Sequence, residues 1–294
     1  MDYQYQITVF TPTYNRAYIL EQLYRSLQRQ TFSDFEWVVV DDGSSDNTQE
    51  LFSGWQQEQN PFPIQYVRQP NGGKCSAINH GLDLARGRLF FAVDSDDYLT
   101  DDALEKIISW EAELPSSGKY CGLAGNLGTT EQTTPNKLFD GGYWDGTALD
   151  RYGIVDGERA MVFYTDVHRQ YRYPVFPEEK FMTEAVTWNR MANDGYHMRF
   201  YNDIIWVYEY KEDGLTKAGS NLFLNNPKGY GLILREKAAF LHWPLKKVLQ
   251  MWYTFTCDLS LQYSSRKISQ CIGAPYPIIA LINTLHKAIH LIRK

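Results

Sequence analysis

The sequence predicts an α/β fold: a mostly parallel sheet flanked by helices, followed by a helical extension at the C-terminal end. Three observations predict it. Over the first hundred residues short apolar runs alternate with helical patterns, the rhythm of parallel strands joined by crossover helices. Polar or acidic clusters sit where four of those strands should end, and open α/β sheets bind their ligands outside the carboxyl ends of their strands. After about residue 220 the strand rhythm stops and apolar residues recur at helical spacing.

Ile7-Thr8-Val9-Phe10 reads as the first strand, with Thr11 to Asn15 as the loop after it. Ile19, Leu20, Leu23, Tyr24 and Leu27 then fall at helical spacing. The turn signal Ser33-Asp34 precedes Trp37-Val38-Val39-Val40, whose β-branched residues suit a buried strand. Polar residues from Ser44 to Asn47 supply caps for a helix over about 48–59; a short strand at 64–67 and a third helix at 73–86 follow. Leu89 to Val93 is the fourth strand and runs straight into Asp94-Ser95-Asp96-Asp97. A helix near 103–111 leads to a Gly/Thr/Asn-rich stretch from Gly122 to Gly146 in which no element is assigned. A helix is expected at 183–192, an aromatic-rich strand at 204–210 and a linker from Gly214 to Ser220. In the helical remainder Leu245, Val248, Leu249, Trp252 and Leu259 share a stripe. The expected division is therefore 1–100, 101–220 and 221–294.

The 294 residues suffice for one large α/β domain or two modest ones, and 44% hydrophobic with 22% charged residues excludes disorder and fibrous repeats. A net charge of −6 leaves no footprint for nucleic acid. That average conceals a split: residues 221–294 carry ten Lys+Arg against two Asp+Glu, net +8, and the rest of the chain is net −14. Cys75, Cys121, Cys257 and Cys271 lack Cys-x-x-Cys or zinc spacing and read as free thiols. With no basic start or apolar stretch at residues 1–6 to suggest a secretory signal, the expected location is the cytoplasm. No run approaches the roughly 20 apolar residues of a spanning helix.

The four strand-end clusters are Thr11-Pro12-Thr13-Tyr14-Asn15, Asp41-Asp42-Gly43-Ser44, Asn71-Gly72-Gly73-Lys74 and Asp94-Ser95-Asp96-Asp97. Singly each has an ordinary reading, because Asp42-Gly43 makes a good turn and Ser44 or Asp46 a good helix cap. Jointly they point at one pocket. Asp94, Asp96 and Asp97 crowd the end of an apolar strand, and like charges so close repel unless a cation or strong donor sits among them. Oxygen-only ligands select a hard divalent metal, Mg²⁺ or Mn²⁺, which typically shares carboxylates with substrate phosphates. A P-loop would need glycine where Arg68 stands, and neither Gly-x-Gly-x-x-Gly nor Gly-x-Ser-x-Gly follows the first strand. What remains is a metal-bridged diphosphate bound without a P-loop.

Thr-Pro-Thr-Tyr-Asn-Arg after the first strand, Gln30-Thr31-Phe32, Trp37 to Thr48, Asn71-Gly72-Gly73-Lys74 with Ala77, Asn79 and Gly81, and Asp94-Ser95-Asp96-Asp97 together resemble family 2 glycosyltransferases of the GT-A fold. The resemblance is close over residues 6–100 and looser to about 215. It implies inverting transfer of a sugar from a nucleoside diphosphate donor, with UDP favoured by family frequency. Carried over, Thr11, Pro12, Tyr14 and Asp42 hold the nucleotide base, Asn71 and Lys74 lie beside the nucleotide, and the aspartate cluster engages ribose and metal. Asp96 and Asp97 match the family's adjacent carboxylates, with Asp94 as a supporting or alternative ligand.

Inversion requires a base to take the acceptor proton, and the family presents it as an acidic pair opening a helix. Spacing from Arg190 puts Glu184 in that position, with Thr183 where a first acid often stands. Glu179 is its rival, and the alternative is that Glu184 only complements the helix macrodipole. Tyr208 to Thr216 resembles the segment that returns a loop over the donor; the histidine often found there is missing, and Tyr210 or a carboxylate stands in its place. His80 and His168 are expected on the surface or in the core. At the end of the chain Ile278, Ile279, Ile282, Leu285, Ile289 and Ile292 recur at near-helical spacing, which suits either a helical cap or, given the net +8, an anionic membrane surface. The reading is an enzyme of cell-surface polysaccharide synthesis acting on a glycan or lipid-linked acceptor. A nucleotidyltransferase and a non-catalytic sugar-nucleotide-binding protein are its rivals.

Overall fold

The computed structural model describes residues 3–151, 153–209 and 219–292, the last four as backbone only. Contacts group these residues into two units: those up to 173 with 190–209, and 174–189 with 219–292. The first unit comprises β1 (Tyr5–Thr13), α1 (Leu20–Gln28), β2 (Phe35–Asp41), α2 (Thr48–Trp55), β3 (Ile64–Arg68), α3 (Lys74–Leu84), β4 (Gly87–Ala92), β5 (Tyr98–Leu99), α4 (Ala103–Ala112), β6 (Tyr120–Gly128), β7 (Tyr143–Gly146), β8 (Arg159–Tyr164) and α5 (Thr165–Gln170). Helix α6 (Ala185–Asn193) begins in the second unit and ends in the first, which β9 (His197–Val207) completes. The second unit continues with α7 (Ser220–Asn225), α8 (Pro227–Phe240), α9 (Leu245–Leu259), α10 (Ser265–Ile272) and α11 (Tyr276–Ile292).

One sheet runs β3-β2-β1-β4-β8-β6-β9-β5, with β7 paired to β9. Strands β3, β2, β1 and β4 are mutually parallel, so their carboxyl ends share one edge. Every residue of β2 is buried, which is why its sequence is apolar without alternation. On one face Tyr24, Trp37, Phe52 and Trp55 form an aromatic nest, with Tyr24 and Trp55 stacked at 4.3 Å between centroids. On the other, α3 comes so near that a Cβ on Gly81 would lie 2.1 Å from the Phe10 ring. The buried Glu36 is matched by Thr8, the Arg86 N–H and the Arg86 guanidinium, as a carboxylate at no exposure requires.

The βα rhythm of the first hundred residues is present as expected. Three elements fall where the sequence reading assigned none and outside its unassigned stretch: β5, β8 and α5. Strand β8 inserts antiparallel between β4 and β6, a pairing set by distant segments. The unassigned stretch contains β6 and β7, and β9 starts at His197, ahead of the expected residue 204. Tyr210, Asp213 and the linker to Ala218 lie outside the described residues.

The second unit encloses Met251, Phe255, Leu259, Ile268, Ile272 and Ile279. Helices α8 and α10 touch through Gly231, where a Cβ would meet the Cys271 carbonyl at 2.2 Å. Helix α10 opens on Ser264, whose hydroxyl accepts the Lys267 N–H, and closes on Gly273 at φ 68°, a left-handed position suited to glycine. The single stripe expected along α9 divides: Leu259 is buried, Val248 and Trp252 are half-buried, and Leu245 and Leu249 are exposed. Among the described residues no helix is long and apolar enough to cross a membrane.

Candidate active site

The carboxyl edge of the parallel strands is built by hydrogen bonds between neighbouring loops. Asn15 adopts φ 54°; its N–H donates to the Ser44 hydroxyl, and its side-chain oxygen accepts the Ser45 N–H. Asp46 accepts the Ala17 N–H. These contacts tie the loop after β1 to the loop after β2. Thr11 is fully buried, and its hydroxyl accepts the Trp37 indole N–H at 3.0 Å, so its side chain anchors the strand. Tyr14 is half-exposed and Pro12 half-buried at the open end. Among the described residues the buried Thr13 hydroxyl has no hydrogen-bond partner.

Asp42 organises the next loop. Its carboxylate accepts the Gln69 amide at 2.8 Å, the Gly72 N–H at 2.8 Å and the Gly73 N–H at 2.7 Å, and its carbonyl accepts the Asn71 amide at 2.9 Å. With about four acceptor positions on a carboxylate, one remains for a ligand. Gly43, at φ 87°, permits the turn. Asp42 and Asn71, both expected at the nucleotide, thus have a demonstrable part in shaping the turn that opens α3.

Lys74 is the first residue of α3, and its ammonium reaches both carboxylate oxygens of Asp94, at 2.7 and 3.0 Å. The Asp96 carbonyl accepts the Gln22 amide at 2.6 Å, and the Asp97 carboxylate accepts the Trp206 indole N–H at 2.8 Å. Burial, then Asp94, raises the pKa of Asp96. Asp97 is 7% exposed, and burial, then Asp94 and Asp96, pushes it up to about 8. Three carboxylates therefore share one turn with a single lysine paired to the outermost.

All donors here are oxygen, and three carboxylates crowd within the field of Lys74 and Arg16, an arrangement that suits a hard divalent cation. Among the described residues no three His, Cys, Asp or Glu side chains converge as a ligand set. A cation would take at most two carboxylates, leaving its other positions to diphosphate and water, as Mg²⁺ commonly does.

Trp206 and Gln22 were not legible as site residues. Trp206 lies 109 positions from Asp97, and an aromatic strand reads only as core. His168 is 2% exposed among Phe90, Phe163 and Tyr173, one of the two places expected for it.

In the second unit Glu184 is half-buried and immediately precedes α6, its carbonyl accepting the Thr187 N–H at 3.2 Å. Glu179 is different. It is 8% exposed, and its two oxygens accept the N–H groups of Lys228 and Gly229 at 2.7 and 2.8 Å. Those are free donors of the first turn of α8, so Glu179 is the cap of that helix. Both Glu179 oxygens thus accept backbone N–H groups, which occupy two of the roughly four acceptor positions of a carboxylate.

A parallel half-sheet bearing an aspartate cluster at its carboxyl edge, continued by an antiparallel insertion, is the GT-A fold. Solved structures agree on that fold. TarS from S. aureus, crystallised with UDP-GlcNAc, is similar with a TM-score of 0.62 at 17% identity, over 97% of this chain and 92% of that one. The mannosyltransferase PcManGT from Pyrobaculum calidifontis, in complex with GDP-Man and Mn²⁺, is similar with a TM-score of 0.56 at 18% identity, over 98% and 87%.

The family model for glycosyl transferase family 2 matches residues 8–182, and the chain belongs to that family. The Campylobacter jejuni GalNAc(5)-diNAcBac-PP-undecaprenol beta-1,3-glucosyltransferase is 30% identical over 226 residues, which make up 73% of this chain and 68% of that one. Two further curated relatives are matched over only 32% and 30% of their length.

Proposed function

We propose that this glycosyltransferase moves a sugar, with inversion, from a UDP-sugar to a hydroxyl of a lipid-linked saccharide during cell-surface polysaccharide synthesis. The observation that carries the donor half is the crowded carboxylate cluster after β4, where buried Asp97 is held up to about 8 by burial and its neighbours. A divalent cation bound there would offset charge between the carboxylates and the donor diphosphate. Asp96 and Asp97 are its ligands in this reading, with Asp94 as the supporting or alternative one, and Trp206 holds Asp97 in place. Pro12 and Tyr14 border the base, Asp42 and Asn71 fix the turn beside it, and Lys74 faces the phosphates after exchanging Asp94 for them.

Glu184 takes the acceptor proton. Support for this is its place before α6, six residues ahead of Arg190, and the commitment of Glu179 to α8. The family match ends at residue 182, so the base assignment rests on the helix-opening position. The acceptor half draws on the lipid-linked substrate in the name of the Campylobacter relative. All four cysteines are free thiols, which suits work in a reducing compartment.

The test is incubation with UDP-, GDP- and dTDP-sugars, with Mn²⁺ or EDTA, and with or without an undecaprenyl-diphosphate saccharide. Acceptor-dependent release of UDP in Mn²⁺ is the expected result. Release of pyrophosphate would make the protein a nucleotidyltransferase. Nucleotide binding without turnover on any acceptor would make it a binding protein.

A further inference from the structure

Helix α11 is apolar on two sides, and among the described residues only one has a protein partner. Ile279 and Asn283 are buried, with Ile279 in the core that includes residues of α9 and α10. On the opposite side Ile278, Leu281 and Leu285 form an i, i+3, i+7 stripe, with Leu281 61% and Leu285 55% exposed. This alters the expected stripe: Ile279 faces inward, Ile282 is half-buried, and Leu281 takes the outward place. A second stripe lies on α9, where Leu245 is 70% exposed and Leu249 and Tyr253 follow at four-residue steps. Exposed apolar stripes of this kind mark interaction surface.

Charge identifies the occupant. Neither α10 nor α11 contains an acidic residue, and Lys246 and Arg266 are exposed on α9 and α10. Two copies joined through this layer would bring like charges together. An anionic bilayer offers the opposite charge and an apolar interior at once. Tyr253, more than half exposed, carries the apolar ring and polar tip that suit a lipid headgroup boundary. Helix α11, 17 residues long, would extend about 25 Å along the surface at 1.5 Å per residue.

The geometry points to this face of the helical unit as a docking surface for anionic membrane, with α11 lying in the interface and its Ile278–Leu281–Leu285 stripe inserted among acyl chains. The inference rests on exposure and charge and does not depend on the reaction proposed above.

The test is cosedimentation of the full chain with phosphatidylcholine vesicles with and without phosphatidylglycerol. Wild type should sediment with the anionic vesicles at low salt and be released as salt rises. Leu281→Glu with Leu285→Glu should weaken binding by about a hundredfold, since two leucines leave the apolar phase. Reversal of Lys246 and Arg266 to Glu should weaken it by at least about fivefold per position, and these exposed sites keep the test open if the leucine variant unfolds. An unchanged thermal midpoint will establish that each variant is folded. Failure of wild type to sediment at low salt would overturn the inference. So would a wild-type dimer in sedimentation velocity that the leucine variant dissociates, which would make the occupant a second copy.

Discussion

The two units treat apolar surface in opposite ways. In the sheet unit Tyr24, Trp37, Phe52 and Phe91 are wholly closed off, and the chemistry-bearing groups are polar and gathered at one strand edge. In the helical unit the enclosed core is smaller, while Leu245, Leu261, Leu281 and Leu285 each stand more than half exposed. A closed core is what holds a buried carboxylate such as Asp97 against its preference for water. The helical unit has the reverse property: its outward residues gain by meeting an apolar phase that the chain itself does not supply.

The largest effect expected separates the two glutamates of the second unit. Glu184→Gln should lower turnover by roughly 10²–10⁴-fold, the usual worth of a positioned base, with donor binding unchanged. Isothermal titration with UDP and Mn²⁺ beside steady-state assays will check it, and a turnover loss below tenfold would remove Glu184 as base. The comparison of cores comes next. Phe91→Ala should destabilise the protein by about 3–5 kcal/mol, whereas Leu285→Ala should stay within about 0.5 kcal/mol. Urea midpoints of the two variants measure this difference; similar losses would mean that Leu285 is covered in solution.

His168 tests closure of the sheet unit by pH. Burial, then Arg172, lowers its pKa to about 3, so below the ordinary value near 6.5 the unfolded chain takes a proton that the folded one refuses. Stability is therefore lost as pH falls through 6.5 toward 3, by about 2 kcal/mol at pH 5 from this residue alone. His168→Phe should remove that part of the difference between pH 7 and pH 5 in urea unfolding; an unchanged difference would show that the ring protonates in the folded state. A stability effect of similar size, with none on turnover, is expected at α8. Glu179→Ala should cost about 1–3 kcal/mol through two unsatisfied N–H groups, while the specific activity of the folded fraction stays near that of wild type. A selective loss of turnover at full stability would return Glu179 to the catalytic machinery.

By itself the sequence determined the βα order of the first hundred residues, the polar clusters at the strand ends and the basic C-terminal stretch, because these lie in local periodicity and composition. Residues such as Val38 to Val40 and Asp94 to Asp97 announce their place within a few positions of neighbours. Tertiary structure alone decided the rest. Insertion of β8 beside β4, the bond from Trp206 to Asp97 and the seating of Glu179 on α8 each join segments far apart in the chain, and no local pattern encodes such pairings. The same holds for α11, where Ile279 and Leu281 are equally apolar in sequence. Packing against the other helices decides that one is core and the other surface.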